Sequence, residues 1–397
     1  MLNIENTADC TGCGACSAVC PKRCISMRFD SEGFKYPIID KSKCINCNLC
    51  EKTCLRIKNE HYYSESSPRA FGVINKNESI RKKSSSGGIF VLLADYILDK
   101  QGIVYGAAFT DDYMEVKHMG ITNFDELSRL QGSKYVQSKT DRIYVEVKNN
   151  LDTGIPVLFS GTPCQIAGLK GYLNKDYNNL VCVEVICHGV PSPKVWKKYI
   201  EYFSNKWKTK IIHVQFRNKD NKQFRKNGQN NIRIIGENNK SYTCANTFDP
   251  YYNLFLSNIS LRPSCYKCNF KNKNHCADIV IADFWGADKV VPGFGKEGDL
   301  SLVLLRNSKA IDFFDKIKHD AFYKEVDALQ ALSGNSSYYK SVDMPVVRTD
   351  FFNDLDQKSI IKLCKLYANP GLYKRIIYFV DKVGLLKTLK KLFGKNK

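Results

Sequence analysis

Cys10-Thr-Gly-Cys13-Gly-Ala-Cys16-Ser-Ala-Val-Cys20-Pro21 is answered later in the chain by Cys44-Ile-Asn-Cys47-Asn-Leu-Cys50-Glu-Lys-Thr-Cys54-Leu55. Both stretches read C-x2-C-x2-C-x3-C, and a proline follows the first. Thiolates at every third position wrap one face of an iron–sulfur cubane inside a tight loop. The last cysteine of each run stands beyond its loop and reaches the other cluster. The spacing therefore assigns Cys10, Cys13, Cys16 and Cys54 to one [4Fe–4S] cluster, and Cys44, Cys47, Cys50 and Cys20 to a second. Zinc is the rival, but its sites are built from paired C-x2-C knuckles, and two identical four-cysteine runs suit it poorly.

This N-terminal region, residues 1–58, resembles the bacterial two-cluster ferredoxin. Cys24 falls outside the pattern and reads as a packed free thiol. The 17 cysteines follow a start, Met1–Glu5, with no basic-then-apolar leader, and the chain has no long uncharged apolar run. Such a chain is expected to be cytoplasmic, where thiols stay reduced and serve metals rather than disulfides. A length of 397 residues, at roughly 150 per domain, predicts two or three domains. The formal charge of +20 reads as a lysine-rich solvated surface, or as a face for an acidic redox partner, an anionic cofactor or a membrane. No helix-turn-helix, zinc-finger or RNA-binding signature accompanies it, so nucleic acid is not expected.

From Arg56 to Pro68 hydrophobic periodicity lapses, and residues 59–69 read as a linker. Beyond it, Phe71–Asn75, Ile103–Phe109, Val157–Ser160, Val181–Ile186 and Ile279–Asp283 have the apolar character of buried strands. Phe90–Asp99 and Thr140–Leu151 read as helices, so residues 70–308 form a mixed α/β domain. Its chemistry-bearing clusters are Ser84-Ser85-Ser86-Gly87-Gly88, Gly132-Ser133-Lys134-Tyr135-Val136-Gln137-Ser138, Gly161-Thr162-Pro163-Cys164-Gln165, Cys187-His188-Gly189-Val190-Pro191-Ser192-Pro193 and Arg262-Pro263-Ser264-Cys265-Tyr266-Lys267-Cys268, followed by Asp283-Phe284-Trp285-Gly286.

In this order the clusters resemble the coenzyme F420 hydrogenase/dehydrogenase beta-subunit family, from about Ala70 to Leu305. The resemblance implies FAD and a third [4Fe–4S] cluster, held by Cys164, Cys187, Cys265 and Cys268. It also implies electron transfer between a ferredoxin or other redox protein and a small hydride acceptor, namely coenzyme F420 or a substrate of polysaccharide biosynthesis. Two of the four cysteines, Cys164 and Cys187, also stand just after apolar strands, where loops converge at one sheet edge. Buried structural thiols are the alternative, as is a zinc knuckle of Cys265, Cys268, His275 and Cys276; either of the last two also competes as a cluster ligand. Cys182, Cys244 and Cys364 read as core or surface thiols.

For the flavin, Ser85, Ser86, Gly87 and Gly88 precede a helix whose N-terminus suits a diphosphate, although a capped Ser/Gly loop looks the same in sequence. Ser133, Lys134, Gln137 and Ser138 are candidates for the isoalloxazine ring and ribityl chain. Thr162 and Gln165 lie beside Cys164, between flavin and cluster. Lys134, as a positive charge near the ring, and His188, as a proton donor, are the candidate catalytic residues. His188 also has an ordinary reading as a satisfied core histidine, and Asp283 as an acceptor for cofactor or substrate.

Residues 309–397 turn helical, with Lys309–Asp320, Val326–Ser333, Lys358–Ala368 and Arg375–Phe393 as candidates. The last is either a cover for the core with a solvated basic face or an amphipathic helix on an anionic membrane surface. The alternative to an enzyme is a non-catalytic electron-transfer subunit of a larger redox complex.

Overall fold

A computed structural model describes residues 7–54, 67–219, 231–272, 275–295 and 299–369. Most of the expected linker and the Arg375–Phe393 helix lie outside the described residues.

The N-terminal unit contains α1 (Ala15–Val19), β1 (Ile25–Phe29), β2 (Lys35–Ile39) and α2 (Leu49–Thr53). β1 and β2 pair antiparallel, with Ile25 opposite Ile39. The two cysteine runs fold alike. Gly12 and Gly14 in the first, and Asn46 and Asn48 in the second, all adopt positive φ, at 69°, 80°, 52° and 56°. Left-handed backbone is open to glycine and tolerated by asparagine, which is why these residues stand at matching places in both loops.

The body runs β3 (Arg69–Asn75), α3 (Glu78–Lys83), α4 (Ile89–Asp99), β4 (Ile103–Phe109), β5 (Val116–Ile121), α5 (Leu127–Leu130), α6 (Ile143–Asp152), β6 (Val157–Gly161), α7 (Pro163–Leu173), β7 (Leu180–Val185) and α8 (Pro193–Trp207). β8 (Ile211–Gln215), β9 (Asn231–Gly236), β10 (Ser241–Ala245), β11 (Ile279–Asp283), β12 (Ser301–Leu305) and β13 (Ala321–Val326) follow, with short helices between and after them. Eight strands form one sheet in the order β13-β3-β12-β11-β7-β6-β4-β5. Its centre, β4-β6-β7-β11, is parallel, and the flanking pairs are antiparallel. Parallel strands need both faces covered. α4 and the helix Ser308–Ile317 cover one face around Leu93 and Phe314. α6 and α7 cover the other around Tyr144, Phe159 and Leu169. A second, aromatic core gathers α8 and the small sheet β10-β9-β8 around Trp196, Tyr199, Phe216 and Tyr251.

Local chemistry starts the two helices that matter most. Thr162 and Gln165 form a reciprocal capping box at the head of α7, with Pro163 in its first turn. Ser192 caps α8, its hydroxyl accepting from the amides of Lys194 and Val195.

The mixed α/β class and the buried parallel strands agree with the sequence. The C-terminal region is less purely helical than expected. Lys309–Asp320 is helical as expected, α-helix to Ile317 and a 3-10 turn over Lys318–Asp320, but Ala321–Val326 is the edge strand β13. Val326 thus ends a strand, and the helix expected there is Ala328–Leu332. β13 points Phe322, Lys324 and Glu325 to solvent, so it lacks the apolar run that betrays an inner strand.

Candidate functional site

None of the 17 cysteines is in a disulfide. The first set is packed against the body. Burial pushes the Cys13 thiol up to about 12, and the nearby thiols of Cys54 and Cys10 add to the shift. Cys16 is raised further by burial and by Cys13, Cys10 and Cys54. Cys13 and Cys16, whose ionisation is opposed by burial and by the neighbouring thiols, belong to a donor set that a cationic iron–sulfur core would relieve. Cys20 belongs elsewhere. Its Sγ lies 3.3 Å from that of Cys24, and both line one pocket with Cys44, Cys47 and Cys50. Cys54 thus stands near Cys13 and Cys16, and Cys20 near Cys44, Cys47 and Cys50. Cys24 is buried, but it stands against the second set rather than apart from it.

The third set forms where parallel strands end. Cys164 opens α7 just after β6, Cys187 follows β7, and Cys265 and Cys268 arrive on the segment before β11. Together they line one cavity with Thr11, His188, Arg262 and Lys271. Their thiols are raised by burial, with mutual charge repulsion adding among them. The Val190 amide donates to Cys265 Sγ at 3.5 Å, and Thr162 Oγ1 lies 3.2 Å from Cys164 Sγ. Such donors would suit ligated thiolates. Among the described residues, no three His, Cys, Asp or Glu side chains close on the position of a single metal ion.

His275 and Cys276 are placed away from this set. His275 Nδ1 meets Glu184 Oε1 at 2.5 Å and Nε2 meets the Tyr338 carbonyl at 3.2 Å, so both ring nitrogens are engaged. Cys276 is buried beside Cys182, Glu184 and Lys170. Asp283 is also taken. Its carboxylate receives the Arg217 guanidinium in a buried ion pair.

Sets one and three meet on α7. Cys164 and Gly168 are one turn apart and share a face. A Cβ at Gly168 would stand 3.0 Å from Cys13 Cβ and Sγ, so only glycine admits the first loop so closely. The N-terminal unit is fixed there by donors from the body. Arg262 Nε reaches the Cys10 carbonyl at 2.7 Å and its Nη2 the Lys35 carbonyl at 2.9 Å. Thr140 donates to the Cys13 carbonyl at 2.7 Å, and Gln137 to that of Thr11 at 3.0 Å.

The flavin candidates divide into two groups. Ser133 donates its amide and hydroxyl to Ser85 Oγ at 2.7 and 2.9 Å, joining the two serine-bearing loops. Ser86 donates to the Leu300 carbonyl, and the Gly87 amide to Ser301 Oγ. A Cβ on Gly87 would lie 2.3 Å from the Val73 carbonyl, so this glycine serves a close backbone approach. Gly88, at φ +85°, caps α4. Lys134 Nζ is held by the carbonyls of Gln131 and Gly132, and desolvation pushes it down to about 7. The other group is a hydrogen-bond chain. Gln165 Nε2 donates to Ser138 Oγ at 2.8 Å, and Ser138 Oγ meets His118 Nδ1 at 3.0 Å. His118 Nε2 donates to the Ser160 carbonyl. Burial holds His118 down to about 4, so the ring is neutral and Nδ1 accepts from Ser138. Gln165 Oε1 in turn accepts from Thr162, which touches Cys164. Gln137 sits at the domain interface instead, its Oε1 accepting from Arg262. His188 lines the third cavity, donating to Asn258 Oδ1 at 2.6 Å.

Sequence reasoning missed His118, Gly168, Thr140 and Lys219, and it gave no role to Arg262, which stands just before the Cys265–Cys268 pair. Lys219 Nζ donates to the Arg81 and Ser86 carbonyls and pairs with Asp299 at 2.9 Å. None of the first four sits in a spaced motif, so no one-dimensional signal marks them.

Residues 9–56 match a family model described as a 4Fe-4S dicluster domain. Residues 156–330 match one described as the C terminus of the coenzyme F420 hydrogenase/dehydrogenase beta subunit. Among solved structures, the xenon-derivatised F420-reducing [NiFe] hydrogenase complex from Methanosarcina barkeri aligns over 77% of this chain and 93% of that chain, at 16% identity and a TM-score of 0.46. No curated protein matches the chain. Among the described residues no helix is long and apolar enough to cross a membrane.

Proposed function

We propose that the chain is a cytoplasmic FAD-dependent iron–sulfur oxidoreductase. It passes electrons between a ferredoxin-type donor and a hydride acceptor, coenzyme F420 or another small substrate. An iron–sulfur dicluster domain set before an F420 hydrogenase/dehydrogenase beta-subunit region gives the chain a redox electron-transfer role. The observation that carries the finer reading is the meeting of the first and third thiol sets across one face of α7. Cys10, Cys13, Cys16 and Cys54 would hold one cluster, Cys44, Cys47, Cys50 and Cys20 another, and Cys164, Cys187, Cys265 and Cys268 a third. A flavin accepts single electrons and delivers a hydride, which is the chemistry that links such clusters to a two-electron substrate.

The chain's own residues prepare that site. Ser85 and Ser133 lock two polar loops together beside Lys134, whose lowered proton affinity suits proton transfer near neutrality. The chain from His118 through Ser138 and Gln165 orients Thr162 against Cys164. His188 supplies a ring at the third cavity, and its lowered basicity, from burial, keeps it neutral. We assign residues 1–58 to the dicluster domain, 70–308 to the catalytic body and 309–397 to its C-terminal extension.

Anaerobically purified protein tests the reading. It should hold about twelve irons and about one FAD, from three cubanes and one flavin site. Cys164→Ala should lose about four irons and uncouple flavin reduction from a reduced donor. Intact iron with no flavin, and no turnover with any hydride acceptor, would instead establish a non-catalytic electron-transfer subunit.

A further inference from the structure

The two cysteine loops have the same backbone but opposite surroundings. At the left-handed positions of the first loop a side chain has no room. A Cβ on Gly12 would lie 2.8 Å from the Arg262 guanidinium, and one on Gly14 would lie 2.9 Å from Thr140 Oγ1. At the matching positions of the second loop stand Asn46 and Asn48, both exposed. Glycine is used where the body presses on the loop, and asparagine where solvent does. The second set is therefore the outer end of the molecule. Cys47 is exposed, and so are Ile45 and Leu49, which line the same pocket, at 57% and 38%.

Charge on this end has one sign in excess. Lys22, Arg23, Lys41, Lys43 and Lys52 are all exposed around the second set. The acids among them are Asp40, exposed and paired with Lys43 at 3.0 Å, and Glu51, half-buried beside Lys52. An apolar centre ringed by cations, over a redox group near the surface, fits a small transient interface with an anionic partner.

We propose that this face, centred on Ile45, Cys47 and Leu49, is the docking surface for an acidic ferredoxin-type protein, and the port by which electrons enter. The inference rests on the proposed function and names its partner's chemistry and place. One electron leaves the partner's reduced iron–sulfur cluster, which is oxidised by one. Cys44, Cys47, Cys50 and Cys20 would hold the cluster that takes it up, an electron transfer with no bond made or broken. The partner's carboxylates would meet the lysine ring, so association is steered by charge and screened by salt.

The test uses the full-length protein with its clusters loaded and a purified acidic two-[4Fe–4S] ferredoxin. Binding is measured by calorimetry from 20 to 300 mM salt, and cluster reduction by stopped flow. Lys22→Glu/Lys41→Glu/Lys52→Glu should weaken binding at low salt at least tenfold and slow reduction by about 10–1,000-fold through the on-rate. Its iron content and reduction by dithionite should stay those of the parent. Lys206→Glu/Lys240→Glu/Lys316→Glu makes the same charge change on α8, the β9–β10 turn and the helix Ser308–Ile317, and should change binding less than twofold. Equal loss in both triple variants, or unchanged binding in the first, overturns the proposal. So does binding to anionic phosphatidylserine vesicles, sensitive to the first triple, without binding to the ferredoxin. Failure of dithionite to reduce any cluster would instead count against the proposed function, because the binding measurement stands apart from it.

Discussion

Gly168→Ala puts a methyl group into the contact that joins the two halves of this protein. On an open helix face the change would stabilise, because alanine exceeds glycine by about 1 kcal/mol in helix propensity. Here the new Cβ would stand 2.9 Å from the Tyr144 hydroxyl and 3.0 Å from both Cβ and Sγ of Cys13. Those distances call for movements of a few tenths of an ångström in a packed interior, an overpacking cost of about 1–3 kcal/mol. Tyr144 is fully buried and donates to the Gln165 carbonyl at 3.1 Å. Pushing it off that carbonyl leaves a buried hydroxyl unsatisfied, for about 1–3 kcal/mol more. Subtracting the propensity gain leaves a loss of about 1–5 kcal/mol. The melting temperature should fall by several degrees under anaerobic conditions, at roughly 2–4 °C per kcal/mol for a domain of this size class. Iron content should fall or become labile, since Cys13 is the residue displaced. A rise in melting temperature with unchanged iron would refute the close approach, and with it the contact between the first and third thiol sets.

Arg262→Lys loses the fork that serves Cys10 O, Lys35 O and Gln137 Oε1, and the stacking on Tyr36 at 4.3 Å. It should cost about 2–4 kcal/mol in denaturant titration and speed hydrogen exchange in the Cys10–Cys16 loop. The half-buried pair of Arg348 with Glu32, at 2.5 Å, should show a coupling of about 1–3 kcal/mol in a double-mutant cycle of Glu32→Gln and Arg348→Met. A coupling near zero would mean that the two units are not fixed there. His118, held down to about 4 from an ordinary 6.5, remains neutral when folded but takes a proton when unfolded, so its contribution is present above pH 6.5. As pH falls from 6.5 to 4 about 3 kcal/mol should be lost from the parent and not from His118→Gln. Parallel stability curves for the two proteins over that range would contradict the buried, uncharged assignment.

How legible the molecule is depends on whether a feature repeats along the chain. The iron–sulfur loops are readable because three-residue spacing is itself the geometry of the site, and the inner strands because burial on both faces makes them continuously apolar. β8, β9 and β10 are not marked, since each carries polar residues on one side, such as His213, Arg233 and Thr243. In the candidate flavin site, sequence singles out Ser85, Ser133 and Lys134 but not His118, which the topology brings from β5 to Ser138 and Gln165. Gly87 reads as a phosphate contact, yet its amide is spent on Ser301. A Ser/Gly loop looks the same in sequence whether its amides face a ligand or a neighbouring strand.

The junction between the two units shows why an interface can be strong in space and silent in sequence. Arg262, Gln137, Thr140, Ser192 and Lys194 all donate from the body, and the acceptors are the backbone carbonyls of Cys10, Lys35, Thr11, Cys13, Glu32 and Ser31. A small unit wound around two thiol sets has little regular secondary structure, so many of its carbonyls have no strand or helix partner. The body supplies what that backbone lacks. Every residue on the N-terminal side offers the same carbonyl, so composition there carries no trace of the docking. On the body side the donors come from separate places that only the fold brings together. Apart from Glu32, which pairs with Arg348, and Tyr36, which lies under Arg262, the telling positions in the N-terminal unit are glycines. Gly12 and Gly14 lie under Arg262 and Thr140, while Asn46 and Asn48 occupy the same turns in the second loop and are exposed. The difference between two otherwise identical loops thus records which one faces inward, and fixes the order in which the thiol sets lie from solvent to the interior.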